Sequence, residues 1–497
     1  MSKTQPLVSH DRVKYMWANN LASLREYSKV YKPLQERLDA LQNLKKTLQK
    51  YESQILEALQ KDLHKHPSES FLTELLQVYE ELEFMIKHLP KLMRPQKVKT
   101  PLTHFGSRSA IYPQSYGLVL IISPWNYPIN LSLIPIIGAI AGGNCVLLKP
   151  SEYSTHTSAL LVRLISESMP PNLAQVVLGD SKVGESLLRE KFDLIFFTGS
   201  VPVGKIVMQK AAAHLTPVVL ELGGKNPCII TKSADIMSAA KKVVWGKFLN
   251  AGQTCIAPDY LLVQECVLEE FIQALKKWIR EFFGEDPQQS ENFGRIISAR
   301  HFARIESLMH QSLEYIDSHY DSMRADCLDM SDSKSALQSC INLSNAQSLY
   351  VPPTIFSLPR DVEHPLMREE IFAPILPIVS FSETSECLAF SAQLPKPLAS
   401  YIFTRDSRER AFFLQNFSFG NGCVNDCVVQ VANPHLPFGG IGSSGMGSYH
   451  GVQSFRTFTH QKSVLENHFE IPLRYPPFRD KLFGVDFKKM CKFFASF

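Results

Sequence analysis

This chain of 497 residues is short of several things. Net charge is nearly absent: 52 Lys and Arg face 48 Asp and Glu, leaving +4. A protein that binds nucleic acid by bulk charge gathers Lys and Arg on one face, so that class is excluded. Cysteine is sparse, ten residues with no CxxC pair, which excludes a disulfide scaffold. There is no HExxH, no Walker A and no spaced His/Cys cluster, so no metal is expected. Met1 to Arg12 is polar and has no apolar core. No secretory leader is therefore expected, and the setting is read as reduced and cytoplasmic.

One absence is local. From Ser109 to Leu148 there is no Asp, Glu, Lys or Arg. A hydropathy scan would read a membrane span there. However, Pro124, Asn126, Pro128, Asn130 and Pro135 interrupt the run. Proline leaves carbonyls unpaired in lipid, and Asn is costly there. A buried parallel strand with its crossover helix is just as continuously apolar, and that is the reading adopted.

Hydrophobic residues make up 45% and charged residues 20%, a globular balance. At roughly 150 residues per domain the length allows about three domains. The first hundred residues read as helices, with Leu38, Leu41, Leu44, Leu48, Tyr51, Ile55 and Leu59 on one face. Residues 100–116 read as loop or exposed hairpin. Strands are then predicted at 118–122, 145–148, 175–178, 194–197 and 217–221, with helices between them. A second alternating set follows Gly223, opening with a strand at 227–230 and a helix at 236–249. Alternation of this kind argues for right-handed βαβ units and parallel sheets. Residues 317–348, polar and weakly periodic, read as a surface insertion. The last twenty residues place Phe478, Leu482, Phe483, Phe487, Met490, Phe493 and Phe494 among lysines. Either a membrane-surface helix or a helix docked on the body fits that pattern.

Four segments carry chemistry. Cys255 lies in Gly252-Gln-Thr-Cys255, a polar interruption between apolar elements, whereas Cys145, Cys228 and Cys266 sit in apolar runs as ordinary small hydrophobes. Glu221 ends an apolar strand before Gly223-Gly224, where open α/β sheets place their sites. Desolvation there would raise its proton affinity, which suits a general base. Phe197-Thr-Gly199-Ser200 runs from a strand into a helix start, a geometry that meets phosphate. A literal GxGxxG occurs at Gly440-Ile-Gly442-Ser-Ser-Gly445. No strand precedes it and no apolar helix follows, so it is rejected as a dinucleotide fingerprint. Its glycines are expected to let backbone pass close to something else.

Together with Pro124-Trp-Asn-Tyr-Pro128, Leu148-Lys-Pro-Ser-Glu152, Leu220-Glu-Leu-Gly-Gly-Lys225, Glu369-Glu-Ile-Phe372, Leu436-Pro-Phe-Gly-Gly440 and Ser448-Tyr-His-Gly451, these segments resemble the aldehyde dehydrogenase superfamily. The likeness is strongest to its class 3 and fatty aldehyde branch, and it runs from about Val13 to about Pro477. The resemblance implies Cys255 as nucleophile, the Asn126 amide and the Cys255 N–H as oxyanion hole, and Glu221 as general base. It implies a nicotinamide cofactor, NAD with NADP as the alternative. The cofactor would be contacted by Trp125, Lys149, Glu152, Gly199, Ser200, Gly204, Leu222, Gly223, Glu370 and Phe372. A thiolate would add to the aldehyde, hydride would leave for the cofactor, and water activated by Glu221 would release the acid.

The fold class so implied is α/β, with two Rossmann-like parallel α/β domains and a small β bridging arm. Residues 1–98 and 118–222 would form the cofactor domain and 223–433 the catalytic domain. Residues 99–117 and 434–470 would form the bridging and oligomerisation arm, and 471–497 a tail able to touch a membrane peripherally. A homodimer acting on a medium- or long-chain aliphatic or aromatic aldehyde is the expectation. A coenzyme A-acylating relative and a catalytically silent relative are the alternatives. Glu221 disfavours the first, and the intact Cys255, Glu221 and Asn126 disfavour the second. Departures from the family pattern are Gln114-Ser115-Tyr116, Ala373 and Ser443.

Overall fold

A computed structural model describes residues 10–319 and 330–468, together with the pairs 481–482, 485–486, 488–489 and 492–493. Its first sheet is built from runs that are apolar without alternation, as both faces are covered. The strands lie in the order Gly445–Met446, Val218–Leu222, Leu194–Gly199, Leu118–Ile122, Cys145–Lys149 and Ala174–Val176. All pairings are parallel except that of the edge strand Gly445–Met446. From Leu118 onward the charge-free stretch is thus a strand, the helix Asn130–Ala141 and a second strand, with most of its residues inaccessible to water. The helices Leu34–Lys50 and Leu76–Leu92 pack over that helix. No helix among the described residues is long and apolar enough to cross a membrane.

The second sheet is parallel throughout, in the order Thr354–Leu358, Ile375–Phe381, Tyr260–Gln264, Pro227–Ile230, Ala399–Phe403 and Asn421–Val424. The third is an antiparallel ribbon of Gln96–Val98, Ser107–Ser115 and Thr459–Asn467. Two parallel α/β layers and a small β arm are therefore present, as the sequence implied.

Several local expectations change. Residues 107–115, read as loop or exposed hairpin, form a nine-residue strand that makes a hairpin with Gln96–Val98 and is extended by a third strand, Thr459–Asn467. Its main partner comes from the far end of the chain, so no local signal marks it. Gln96–Val98, assigned above with the cofactor domain, pairs into the ribbon, and Gly445–Met446, assigned to the arm, joins the first sheet. In the supposed insertion, residues 320–329 lie outside the described residues. Met330–Leu343, however, is a helix that packs on Thr354–Leu358 and buries Leu337 and Cys340. Its apolar face is spaced at three and four, diluted by Ser between. The C-terminal helix reading rests largely on Phe478, Phe483, Phe487, Met490 and Phe494, which lie outside the described residues. Nearby, Lys481–Leu482 pairs antiparallel with Val485–Asp486.

Candidate active site

Loops leaving the carboxyl ends of three adjacent strands of the first sheet meet loops entering two strands of the second. Trp125 and Asn126 follow Leu118–Ile122, Lys149 closes Cys145–Lys149, and Gly199 closes Leu194–Gly199. From the other side, Cys255 precedes Tyr260–Gln264, while Glu370 and Phe372 precede Ile375–Phe381. This is the strand-end position at which open α/β sheets bind ligands.

The Asn126 and Cys255 loops are interlocked. Asn126 Nδ2 donates to the Gln253 carbonyl at 3.0 Å, and the Asn126 carbonyl accepts from Asn250 Nδ2 at 2.8 Å. Tyr127 Oη lies 2.6 Å from Thr254 Oγ1. The Cys255 carbonyl accepts from Asn226 Nδ2 at 2.7 Å. Asn126 is 3% exposed, and Cys255 is half-buried. Burial, then the charges of Glu370 and Glu221, push the Cys255 thiol up to about 12, against the pull of the Cys255 and Ile256 N–H groups. The protonated thiol is thereby favoured over the thiolate that the resemblance calls on to add to an aldehyde. Its surroundings are carboxyl-rich, and thiolate character needs a base or a positive neighbour.

Glu221, next to last in the strand Val218–Leu222, lies opposite Gly445, and neither carboxyl oxygen has a hydrogen-bond partner among the described residues. Burial alone raises it well above the usual carboxylate range, as expected for a desolvated acid. Gly445 shows what the rejected glycine motif does. At φ 143° its α-carbon passes over the Leu220 carbonyl, 2.1 Å from where a β-carbon would stand.

Glu370 lies against Gly223, its Oε2 2.0 Å from the site of a β-carbon there. Burial first, then Asp259, push its carboxyl up to about 8, while the Gly224 N–H, Lys225 and Arg304 pull it down. Phe372 adopts φ 51° and meets Trp125 edge-on at 5.5 Å. Trp125 meets His301 at 4.7 Å, and burial holds that imidazole down to about 4, hence neutral.

Lys149 is buried and pairs with Glu152 at 2.9 Å. The helix Val201–Ala212 starts directly after Ser200, whose side chain makes no capping bond. The first-turn N–H groups of that helix lack a side-chain acceptor, which is the donor set a phosphate needs. Gly204 sits in its first turn and packs on Leu222. These residues fit a dinucleotide, with anion donors at one end and an aromatic and carboxyl-lined wall at the other. No group of His, Cys, Asp and Glu among the described residues could hold a metal ion.

Sequence reasoning missed Asn250 and Gln253, which are buried and tie the two loops to each other. It also missed Lys65, Glu69 and Glu74, which lie in an otherwise ordinary helical region. Buried charge has no signature in helical periodicity.

The chain matches the model of the aldehyde dehydrogenase family over residues 4–464. It belongs to that family. A 4,4'-diaponeurosporen-aldehyde dehydrogenase of Staphylococcus aureus is 40% identical over 469 residues, 94% of this chain and 96% of the relative. The dimeric NADP-preferring aldehyde dehydrogenase of Canis lupus familiaris is 39% identical, over 90% of this chain and 94% of the relative. A solved structure titled as the substrate-bound state of Staphylococcus aureus AldH superposes with a TM-score of 0.86 at 38% identity, covering 96% of this chain and 99% of that one. The protein is thus an aldehyde dehydrogenase, of a family that uses NAD(P).

Proposed function

We propose that this aldehyde dehydrogenase converts a medium- or long-chain aliphatic or aromatic aldehyde to its carboxylic acid, through a thiohemiacetal and a thioester on Cys255. The observation that carries the reading is the interlock of the Asn126 and Cys255 loops beside a desolvated Glu221 whose carboxyl has no hydrogen-bond partner among the described residues. The Asn126 amide and the Cys255 N–H hold the oxyanion when Sγ, its proton released to solvent, adds to the carbonyl as thiolate; one such donor is worth about 10²–10³ in kcat. Glu221, buried and proton-hungry, takes the proton from the attacking water and shifts no hydrogen bond of its own to do so. NAD, or NADP, supplies the hydride acceptor when bound. Lys149, Glu152, Gly199, Ser200, Gly204, Leu222, Gly223, Glu370, Phe372 and Trp125 are the residues that would hold it. Glu152 favours NAD, since a carboxylate beside the adenosine ribose repels a 2′-phosphate. A cytoplasmic homodimer is the assembly proposed, on the likeness to the dimeric relative, with peripheral membrane contact assigned to the C-terminal tail.

Cys255→Ser is expected to abolish formation of reduced cofactor from an aliphatic aldehyde while leaving cofactor binding, read by calorimetry, unchanged. Retained turnover in that variant would overturn the mechanism.

A further inference from the structure

Asn250, Ala251 and Gly252, which lead into Cys255, have φ values of 51°, 52° and 76°. Two of these three consecutive left-handed residues carry a β-carbon. A residue of this kind is strained and persists only where its surroundings hold it. The holding groups come from the N-terminal helical region. Glu69 Oε1 accepts the Asn250 N–H at 2.8 Å. Lys65 Nζ, fully buried, pairs with Glu74, donates to the Asn126 carbonyl at 3.4 Å and lies 4.4 Å from the Tyr127 ring centre. Glu74 Oε2 accepts the Ile129 and Asn130 N–H groups at 2.8 and 3.2 Å. Glu74 itself sits in the π-turn Phe71–Leu75, a distortion that recurs at functional sites.

We infer that Lys65, Glu69 and Glu74 form a clamp that fixes the Cys255 loop and the Asn126 loop in register with each other, with Glu69 as the positioning residue for the strained turn. This rests on the reading of Cys255 as nucleophile and Asn126 as oxyanion donor. Glu69 reaches the turn, Lys65 and Glu74 reach the other loop, and Asn250 Nδ2 joins the two at the Asn126 carbonyl. Loss of one member lets the turn relax, and a misplacement of about 1 Å can cost about 100-fold in rate. The clamp requires an acceptor at Glu69 and not its charge. Burial already pushes this half-buried carboxyl up to about 7, against Lys65 and the Asn250 N–H, with Glu74 adding to the rise.

The test compares Glu69→Ala, Glu69→Gln and Glu69→Asp in the full-length enzyme, by burst kinetics of thioester formation and by the rate at which iodoacetamide labels Cys255, followed as peptide mass. Glu69→Gln keeps the acceptor in place and is expected to stay within about twofold of the parent. Glu69→Ala, and Glu69→Asp, which withdraws the acceptor by one methylene, are expected to slow the burst by about tenfold to a hundredfold, with aldehyde KM and cofactor affinity unchanged. An equal loss in Glu69→Gln and Glu69→Asp, or an unchanged burst in Glu69→Asp, overturns the clamp. Should Glu69→Ala fail to fold, the Gln and Asp pair decides the question alone. If turnover survives in Cys255→Ser, it is the underlying mechanism that fails; if turnover is lost there while the Glu69 variants behave alike, only the clamp fails.

Discussion

The Glu221 carboxyl combines two demands that pull against each other. Its burial favours the protonated form, and catalysis as a base needs the ionised one. Because the folded-state proton affinity is raised, Glu221 contributes stability below the ordinary carboxylate range, and that contribution is lost as pH rises through the elevated value. Two measurements follow from the sign. Single-turnover thioester hydrolysis is expected to rise with pH in the parent and to be slow and nearly flat in Glu221→Gln. Thermal melts at alkaline pH are expected to find Glu221→Gln the more stable of the two. A hydrolysis rate that falls with pH in the parent would remove Glu221 from the role of base. The position of Glu221 was legible in the sequence, since an acid closing an apolar strand before two glycines stands out. The raised proton affinity of Cys255 was not, because it depends first on burial and then on Glu370 and Glu221 reaching the thiol from distant parts of the chain.

At the scale of elements, the parallel strands were the most readable part. Leu118–Ile122 and Cys145–Lys149 are apolar on both faces, and only a covered parallel sheet requires that. Ser107–Ser115 and Met330–Leu343 were unreadable for opposite reasons. The first has polar residues throughout and draws its ladder from Thr459–Asn467, while the second hides a narrow apolar face among serines. The edge strand Gly445–Met446 makes a sharp test of close backbone approach. Gly445→Ala puts a β-carbon on the Leu220 carbonyl in a region of φ that side chains avoid. It is expected to destabilise the enzyme by about 1–3 kcal/mol in urea titrations. Gly184→Ala, in the helix Ser181–Leu187 with nothing within 4 Å of the new carbon, is expected to be neutral or stabilising by up to about 1 kcal/mol. Similar melts for both variants would show that the approach at Leu220 is not tight in solution.

For the whole molecule, the proposal of a longer-chain aldehyde and of NAD is tested by turnover. A panel of aldehydes of increasing chain length, run with NAD and with NADP and followed by absorbance of the reduced cofactor, is expected to give the highest kcat/KM with longer chains and with NAD. Glu152→Gln is expected to narrow the gap between the two cofactors. Equal use of both by the parent would mean that the Lys149–Glu152 pair does not set the choice. The sequence made the family legible because short motifs are spread along nearly its full length. It left the joints between layers dark, since Lys65, Glu69 and Glu74 act across the boundary between distant segments.

The antiparallel edge strand also sets a timetable for biosynthesis. Glu221 is translated long before Gly445–Met446, the strand that pairs with it. The ribbon strand Ser107–Ser115 waits even longer, for Thr459–Asn467. A ribosome-bound chain halted before that point already holds Asn126, Glu221 and Cys255 but lacks the edge strand beside Val218–Leu222 and the long partner of Ser107–Ser115, so both pairings are expected to close only after residues 445–467 have emerged.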